Sequence, residues 1–516
     1  MNHNLYALFA RNFPQNDAVA IETATGKLLS YGDLARNVAH YAGYIRALGV
    51  LPGDRVAVQV EKSPEALFLY LACLKAGAVY LPLNSAYQEG EVDYFLGDAE
   101  PKIFVHQPKS ETWASTLCGK RGIAHRFLLP ADGEILNPQQ IRASWHEKSL
   151  GAAPMLDIEQ RNVNDIAAIL YTSGTTGRSK GAMITHRNLS SNATSLHAVW
   201  GFKPGDVLLH ALPLFHVHGL FVACHTALLN GSRMIFHAKF DARVAIDALP
   251  RATVFMGVPT MYVRLLAESS FTPDVCRNIR LFVSGSAPLL AETFHAFRER
   301  TGHTILERYG MTETGMITSN PLDGERRGGT VGFPLPGVSV RVVNDEGNAC
   351  AANEVGQLQV NGPNVLPGYW RLPEKNKEEF TGDGFFKTGD VGKIDAEGYV
   401  SIVGRSRDLV ISGGYNVYPK EIEILIDEMD GVAESAVIGL PHPDFGEAVA
   451  AVVVLKPKNM QPSEAGVITS LKGKLAAFKV PKRVFIVTDL PRNAMGKVQK
   501  NELRKQYAST FSTAAR

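Results

Sequence analysis

The residues best suited to chemistry are concentrated in one short segment, residues 171–181, which reads YTSGTTGRSKG. Glycines let backbone N–H groups approach phosphate oxygens, hydroxyls add hydrogen-bond donors, and a lysine supplies positive charge. The segment is not a Walker A motif, because no Gly-Lys-Ser/Thr sequence ends it. A flexible linker is the alternative, but the apolar, strand-like run before it favours a phosphate-binding loop. Its candidate contacts are Thr172, Ser173, Gly174, Thr175, Thr176, Gly177 and Lys180.

Further motifs follow along the chain: YGMTET at residues 309–314, KTGD at 387–390, GRSRDLVISGGYNVYP at 404–419 and PRNAMGKVQK at 491–500. Together with the glycine-rich loop they resemble, in the same order, the motifs of the adenylate-forming superfamily of acyl-CoA synthetases, firefly-type luciferases and peptide-synthetase adenylation domains. The resemblance spans nearly the whole chain. It implies an ATP- and Mg²⁺-dependent acid–thiol ligase that makes an acyl-adenylate and then transfers the acyl group to coenzyme A.

The resemblance also implies roles in ATP binding. Glu313 corresponds to the magnesium ligand, and a carboxylate suits this hard cation. Asp390 corresponds to the residue that accepts hydrogen bonds from the ribose hydroxyls. Other residues that the resemblance places around the nucleotide are Ser286, Ala287, Pro288, Tyr309, Gly310, Met311, Thr312 and Arg405.

The C-terminal motifs imply the catalytic and conformational residues. Lys497 corresponds to the lysine that stabilises negative charge in the adenylation transition state, and Thr176 and Glu313 complete the implied catalytic set. Asp408 corresponds to the hinge about which the C-terminal domain rotates. Lys497 is also a candidate target for a lysine acetyltransferase and deacetylase, since acetylation removes its charge. The residues that would line the tunnel for the CoA thiol are Gly413 and Gly414.

A second group of residues concerns the choice of acid. Residues 212–220 (LPLFHVHGL) resemble the entrance of the acyl pocket. On a strand, His216 and His218 would share a face and suggest a metal pair, but no acidic or cysteine ligand lies nearby in the sequence. Arg308 occupies a position where many relatives have glycine, and a buried guanidinium calls for an anion such as a carboxylate. Pairing of Arg308 with Glu307 or another structural acid is the alternative.

The combination of HVHGL, SGSAP and ERYGMTET most resembles malonyl-CoA synthetases. In that case His216, Ser286 and Arg308 would bind the non-reacting carboxylate of malonate, and the products would be malonyl-CoA, AMP and pyrophosphate. The alternatives are a CoA ligase for methylmalonate or another short acid, and a stand-alone carrier-protein adenylation enzyme. The polar pocket disfavours a luciferase-type oxidase. A non-catalytic relative would be expected to lack Glu313 or Lys497, and both are present.

Alternating strands and helices must position these residues. The pattern predicts strands at residues 55–60, 78–83, 165–171, 253–257 and 281–283, and a helix at 64–76, which indicates a largely parallel sheet covered by helices. Near residue 390 the sequence becomes rich in Gly and Asp, with short alternating strands. After this segment the pattern predicts a helix at 420–429, strands at 433–439 and 448–455, and a helix at 466–478. We therefore predict an α/β fold with a large N-terminal domain (1–404), a hinge (405–408) and a small mobile α+β C-terminal domain (409–516).

Length and composition limit the classes of function. A chain of 516 residues exceeds the usual size of one hydrophobic core. The net charge of +2 and the absence of a basic run argue against a nucleic-acid partner. No signal peptide or long apolar stretch is visible, so no membrane partner is expected. The five scattered cysteines favour neither a disulfide framework nor a zinc site. We expect a cytoplasmic enzyme whose partners are small molecules: a dicarboxylic acid, ATP and CoA.

Overall fold

The structure is a computed structural model. It describes residues 2–172, 179–412, 415–443, 445–457, 461–472, 474–493 and 496–511, without the side chains of Arg407, Tyr415 and Asn416. Its helices are Leu5–Ala10, Tyr31–Ala47, Pro64–Ala76, Glu89–Ala99, Glu111–Arg121, Pro138–Arg142, Trp145–Leu150, His186–Val199, His225–Asn230, Ala242–Ala248, Pro259–Ala267, Pro273–Cys276, Ala291–Thr301, Pro373–Glu379, Pro419–Asp427, Glu464–Lys472 and Lys500–Gln506.

The first large sheet has six strands, and all neighbouring pairs except the last are parallel. The predicted helix at residues 64–76 connects two of these strands and has the predicted bounds, because its ends are encoded locally. The Ser63 side chain accepts a hydrogen bond from the Ala66 N–H, Pro64 occupies the first turn, and Gly77 ends the helix with φ of 75°. In spatial order the strands are His125–Leu128, Ile103–His106, Arg55–Gln59, Val79–Pro82, Ile166–Thr172 and Lys180–Thr185.

The second large sheet has nine strands and supplies most of the site. Its central strands run parallel, so their carboxyl ends meet at one edge, which is where open α/β sheets bind ligands. The main hydrophobic core packs between the two large sheets. In spatial order the strands are Phe333–Pro334, Gly315–Ser319, Leu306–Met311, Leu281–Ser284, Val254–Gly257, Val207–His210, Arg233–Phe236, Val19–Thr23 and Leu28–Ser30.

Two smaller sheets follow. The first is antiparallel, with strands Ser339–Val343, Gly356–Asn361, Phe386–Ile394 and Val400–Arg405. The second begins at Val410 and has a separate core; its strands are Val410–Ser412, Tyr415–Val417, Val432–His442, Gly446–Leu455 and Arg483–Val487.

These sheets confirm the predicted α/β class, with a large N-terminal part and a smaller C-terminal domain. The strands change from one sheet to the next between Arg405 and Val410, where the sequence predicts the hinge. The hinge motion and the domain limits remain predictions. The predicted helix at residues 466–478 is shorter, Glu464–Lys472. No helix within the described ranges is long and apolar enough to cross a membrane.

Candidate active site

Arg308 lies on the strand Leu306–Met311 and is buried, with 3% of its surface exposed. Its guanidinium packs over Gly285, where an added Cβ would lie 2.5 Å from the guanidinium carbon, so glycine makes room for it. Within the described residues, Nε and Nη2 of Arg308 lack a hydrogen-bond partner. Burial lowers the pKa of Arg308 to about 9, which still leaves it charged at neutral pH.

The alternative pairing with Glu307 is not what the structure shows. The Glu307 carboxylate accepts hydrogen bonds from the backbone N–H groups of Leu289 and Gly329, at 3.3 Å each. Burial raises the pKa of Glu307 to about 7. Arg308 is therefore a buried cation without an acidic partner in the part of the chain that the structure describes.

Two histidines lie near Arg308, but they are not on a strand. His216 lies in a turn, and His218 begins a π-helical segment, His218–Cys224. Nδ1 of His218 lies 3.2 Å from the Ser286 hydroxyl, and its buried Nε2 has no hydrogen-bond partner among the residues that the structure describes. Burial, with smaller effects from Lys497 and Arg308, lowers the pKa of His216 to about 3, and burial also lowers the pKa of His218. Both imidazoles are thus neutral and suited to hydrogen bonding.

Ser286 itself has an unusual backbone. Its φ is 73°, in the left-handed region that non-glycine residues rarely adopt. Such strain is typical of functional loops, where the surrounding structure maintains it. The loop directly follows the strand Leu281–Ser284, so Ser286, Ala287 and Pro288 lie at the carboxyl edge of the nine-stranded sheet.

Glu313 offers an oxygen ligand beside the glycine-rich loop. The side chain is buried, and Oε1 accepts hydrogen bonds from the hydroxyls of Thr172 (3.2 Å) and Tyr369 (3.1 Å). No cluster of three or more His, Cys, Asp or Glu side chains that could hold a metal occurs among the described residues. The Glu313 carboxylate would suit a magnesium ion, a hard cation that prefers oxygen ligands and usually takes only one or two protein carboxylates.

Asp390 is held at a junction of three elements. The Tyr309 hydroxyl donates a short hydrogen bond to Oδ2, and Arg405 Nε lies 2.6 Å from Oδ1. Burial and the Asp390 charge raise the pKa of the Tyr309 hydroxyl well above its usual value. The predicted nucleotide contacts Tyr309, Asp390 and Arg405 are thus brought together, and Gly310, Met311 and Thr312 follow directly on the same strand and turn.

The glycine-rich loop is seen only at its two ends. Ser173, Gly174, Thr175, Thr176 and Gly177 lie outside the described residues, as do Gly413 and Gly414. Lys180 is buried, with Nζ 3.0 Å from Glu379 and 4.1 Å from the centre of the Tyr369 ring. The lysine expected to face phosphate is therefore already paired with an acid, which sequence reasoning did not anticipate.

Lys497 comes from the C-terminal domain yet lies within this site. Lys497 is exposed at the surface of the protein, and its charge interacts with those of N-terminal residues. Partial enclosure by protein lowers its pKa to about 8; Arg405 and Arg308 lower it further, while Asp390 and Glu313 raise it. The predicted hinge residue Asp408 accepts a hydrogen bond from Nη2 of Arg504, with Oδ1 at 2.8 Å, and also interacts electrostatically with Arg405.

Sequence reasoning missed three residues of this site. The sequence pattern suggests His218 only as a partner in a metal pair, and it gives no separate role to Gly285 or Tyr369. The SGSAP loop and the HVHGL turn were both recognised, but the sequence gives no signal that His218, rather than His216, meets Ser286. That pairing depends on how two loops from different strands come together.

Comparison with known proteins agrees with this architecture. Residues 8–370 match the AMP-binding enzyme family and residues 421–497 match the AMP-binding enzyme C-terminal domain. The chain belongs to the AMP-binding enzyme family. It is an ATP-dependent, AMP-forming acyl-CoA ligase, for which ATP, Mg²⁺ and CoA are required.

Several relatives illustrate the range of this family. The malonate–CoA ligase of Arabidopsis thaliana is 36% identical over 97% of this chain and 88% of its own length. A feruloyl-CoA synthase of Streptomyces sp is 35% identical over 93% of this chain and 94% of its own. The crystal structure of ATP-bound MatB from Rhodopseudomonas palustris is 52% identical, covers 99% of this chain and 100% of its own, and superposes with a TM-score of 0.95.

The same MatB without ligand superposes less well, with a TM-score of 0.84 at the same identity and coverage. The arrangement of this chain is thus more similar to the ATP-bound form. The predicted resemblance to malonyl-CoA synthetases is confirmed by these likenesses, whereas the roles of individual site residues remain predictions.

Proposed function

We propose that this enzyme is a malonate–CoA ligase that forms malonyl-CoA, AMP and pyrophosphate through a malonyl-adenylate. One observation carries the proposal: Arg308 is a buried cation with unused donors and no acid partner within the described residues. An uncompensated buried charge is costly, and a substrate with a second carboxylate would compensate it. The names of two relatives, the Arabidopsis enzyme and a mouse malonate–CoA ligase, agree with this choice.

The acid pocket would bind only the carboxylate that does not react. The guanidinium of Arg308 can present two parallel N–H groups to it. His218, His216 and the Ser286 hydroxyl supply neutral hydrogen-bonding groups nearby. We propose His218 as an addition to the three residues inferred from the sequence.

Adenylation then requires the other carboxylate to attack the α-phosphate of ATP. A new P–O bond forms, the bond to the β-phosphate breaks, and pyrophosphate leaves. In this proposal Lys497 stabilises the charge that develops on the phosphate, Asp390 and Arg405 orient the ribose, and Thr176 with Lys180 binds phosphate oxygens. Magnesium bound to Glu313 would supply charge neutralisation.

Thioester formation follows in a second arrangement of the domains. The CoA sulfur attacks the acyl carbon, the bond to AMP breaks and the thiol proton is lost. We propose that residues 409–516 rotate against residues 1–404 about the segment 405–408, so that Gly413 and Gly414 line the thiol tunnel. Acetylation of Lys497 by a lysine acetyltransferase would suppress the first step by removing the charge.

The proposal is tested by substituting Arg308 with alanine. Truncating one member of a buried charge pair typically costs about 2–5 kcal/mol. At about 1.4 kcal/mol per decade, kcat/KM for malonate should fall roughly 30- to several thousand-fold. Butyrate should be spared or improved, because no lone guanidinium opposes its apolar tail. The measurement is the malonate-to-butyrate ratio of AMP release in wild type and variant, with and without CoA.

Equal loss with both acids would make Arg308 structural and would remove the dicarboxylate proposal, while the CoA-ligase assignment would stand. A wild-type enzyme that prefers methylmalonate would instead support a CoA ligase for that acid. A wild-type enzyme that acts only when a carrier protein replaces CoA would support a carrier-protein adenylation enzyme.

A further inference from the structure

A buried lysine lies behind the acid pocket, where the two large sheets meet. Lys62 follows the strand Arg55–Gln59 of the six-stranded sheet and is 5% exposed. It lines a cavity of about 280 Å³ whose other walls are mainly apolar. Burial lowers its pKa well below the usual value, and no acidic residue of the described chain opposes this effect.

Lys62 is held by one residue of the other sheet. Its Nζ lies 2.6 Å from Nδ1 of His210 and donates to the His210 carbonyl oxygen at 2.8 Å. Nε2 of His210 lies 2.8 Å from the carbonyl oxygen of Gly219. Since a carbonyl can only accept, Nε2 carries the proton and Nδ1 accepts from Lys62. The hydrogen bonds therefore run in one direction, from Lys62 through His210 to Gly219.

The electrostatics agree with this direction. Burial, followed by the effect of Lys62, lowers the pKa of His210 well below its usual value, so the ring is neutral, as the chain of bonds requires. Nζ of Lys62 also lies 4.2 Å from the centre of the Phe236 ring. Both ring nitrogens of His210 and two donor positions of Lys62 thus have partners inside the protein.

The chain of hydrogen bonds ends on the segment that carries the acid pocket. Gly219 is the second residue of the π-helical segment His218–Cys224, a local geometry often found at functional sites. A Cβ at Gly219 would lie 2.0 Å from the Pro213 carbonyl oxygen, so the two backbones touch. His218, directly before it, contacts Ser286 and interacts electrostatically with Arg308.

We infer that Lys62 and His210 are positioning residues for acid selection: they fix the Gly219 carbonyl and, through it, the place of His218 beside Arg308. The inference rests on the proposed dicarboxylate function. Both residues would act through His218 rather than on the reacting atoms, so they should affect the choice of acid more than the use of ATP.

The test compares Lys62→Met, His210→Phe and His210→Gln. Misplacing a binding group by about 1 Å can cost on the order of 100-fold. The malonate-to-butyrate ratio of kcat/KM should therefore fall about 10- to 100-fold in Lys62→Met and His210→Phe, with the KM for ATP unchanged. His210→Gln keeps an amide donor for Gly219 and an acceptor for Lys62, so it should recover most of the ratio.

An unchanged ratio in folded Lys62→Met overturns the inference, as does an equal loss on both acids accompanied by a raised KM for ATP. If Lys62→Met does not fold, the test rests on the two His210 variants. Equal malonate-to-butyrate ratios in His210→Phe and His210→Gln would then overturn the inference. A wild type without preference for malonate overturns the proposed function itself, and Arg308→Ala in the same assay separates the two failures.

Discussion

At the scale of single residues, the environment of Arg308 matters more than its type. Arginine is common on protein surfaces, where it carries little information. Here it is buried against Gly285, and within the described residues no acid balances it. A group that is destabilising in the free protein and useful only with a charged ligand is expected at a binding site rather than in a structural core.

This environment predicts a gain in stability on substitution. Arg308→Met removes the buried charge at similar volume, and the free protein should become more stable by about 1–4 kcal/mol. Malonate at about 100 times its Kd should stabilise the wild type by about 2.7 kcal/mol but should not stabilise the variant. Thermal unfolding with and without malonate measures both effects. A variant that malonate still stabilises would argue against binding at Arg308.

Lys497 should act in only one of the two half-reactions. Lys497→Ala should lower adenylation at least about 100-fold, as removal of one transition-state donor does, and should spare thioester formation from supplied malonyl-AMP. Because its pKa is lowered to about 8, the ammonium form prevails below that pH and is lost above it. Adenylation kcat/KM should therefore decline as pH rises through about 8. Comparable loss of both half-reactions would contradict the assignment.

At the scale of elements, the segment between Arg405 and Val410 is the point of interest. Arg405 ends a strand of the four-stranded sheet and bonds to Asp390, whereas Val410 begins the sheet of the C-terminal domain. Asp408 between them bonds to Arg504 of the last helix.

Asp408→Pro tests this hinge. Proline fixes φ and would block rotation, so the variant should form malonyl-AMP at a near-normal rate but lose thioester synthesis roughly tenfold or more, as expected when a required domain motion is blocked. Asp408→Ala is the matched control, since it also removes the bond to Arg504 but leaves φ free. The measurement is the rate of each half-reaction in both variants. Equal rates of thioester synthesis in Asp408→Pro and Asp408→Ala would contradict the hinge role.

At the scale of the whole molecule, an ion pair joins the two domains in the present arrangement. Lys456 of the C-terminal domain lies 2.6 and 2.9 Å from the two carboxylate oxygens of Glu292. The pair is partly exposed, so we expect it to contribute only about 0.2–1 kcal/mol. It favours the arrangement in which Lys497 reaches the site.

Glu292→Lys should therefore slow adenylation modestly, by a factor of about 1.4–5, and more at low salt. The double variant Glu292→Lys/Lys456→Glu restores the opposite charges and should recover the rate. Initial rates of pyrophosphate release at two salt concentrations measure this. If the double variant is as slow as expected from the separate effects of Glu292→Lys and Lys456→Glu, the two residues do not stabilise this arrangement of the domains through their pairing.

Elements and motifs that depend on neighbouring residues can be predicted from the sequence. The helix Pro64–Ala76 was predicted with its observed bounds, because Ser63, Pro64 and Gly77 define its ends within one stretch of chain. The order of the five motifs likewise indicates the family without reference to any tertiary contact. These signals are local, so they can be seen in a linear sequence.

Which of these residues contact one another depends instead on how the sheets and loops pack. The contact between His218 and Ser286 and the bond from Lys62 to His210 each join segments that are far apart in the chain. That no acid pairs with Arg308 in the described part of the chain also depends on how distant segments pack around it. The π-helical turn at His218 has no evident sequence signal. Such contacts arise when two sheets pack against each other, because burial and close approach then depend on the surroundings of a residue rather than on its type.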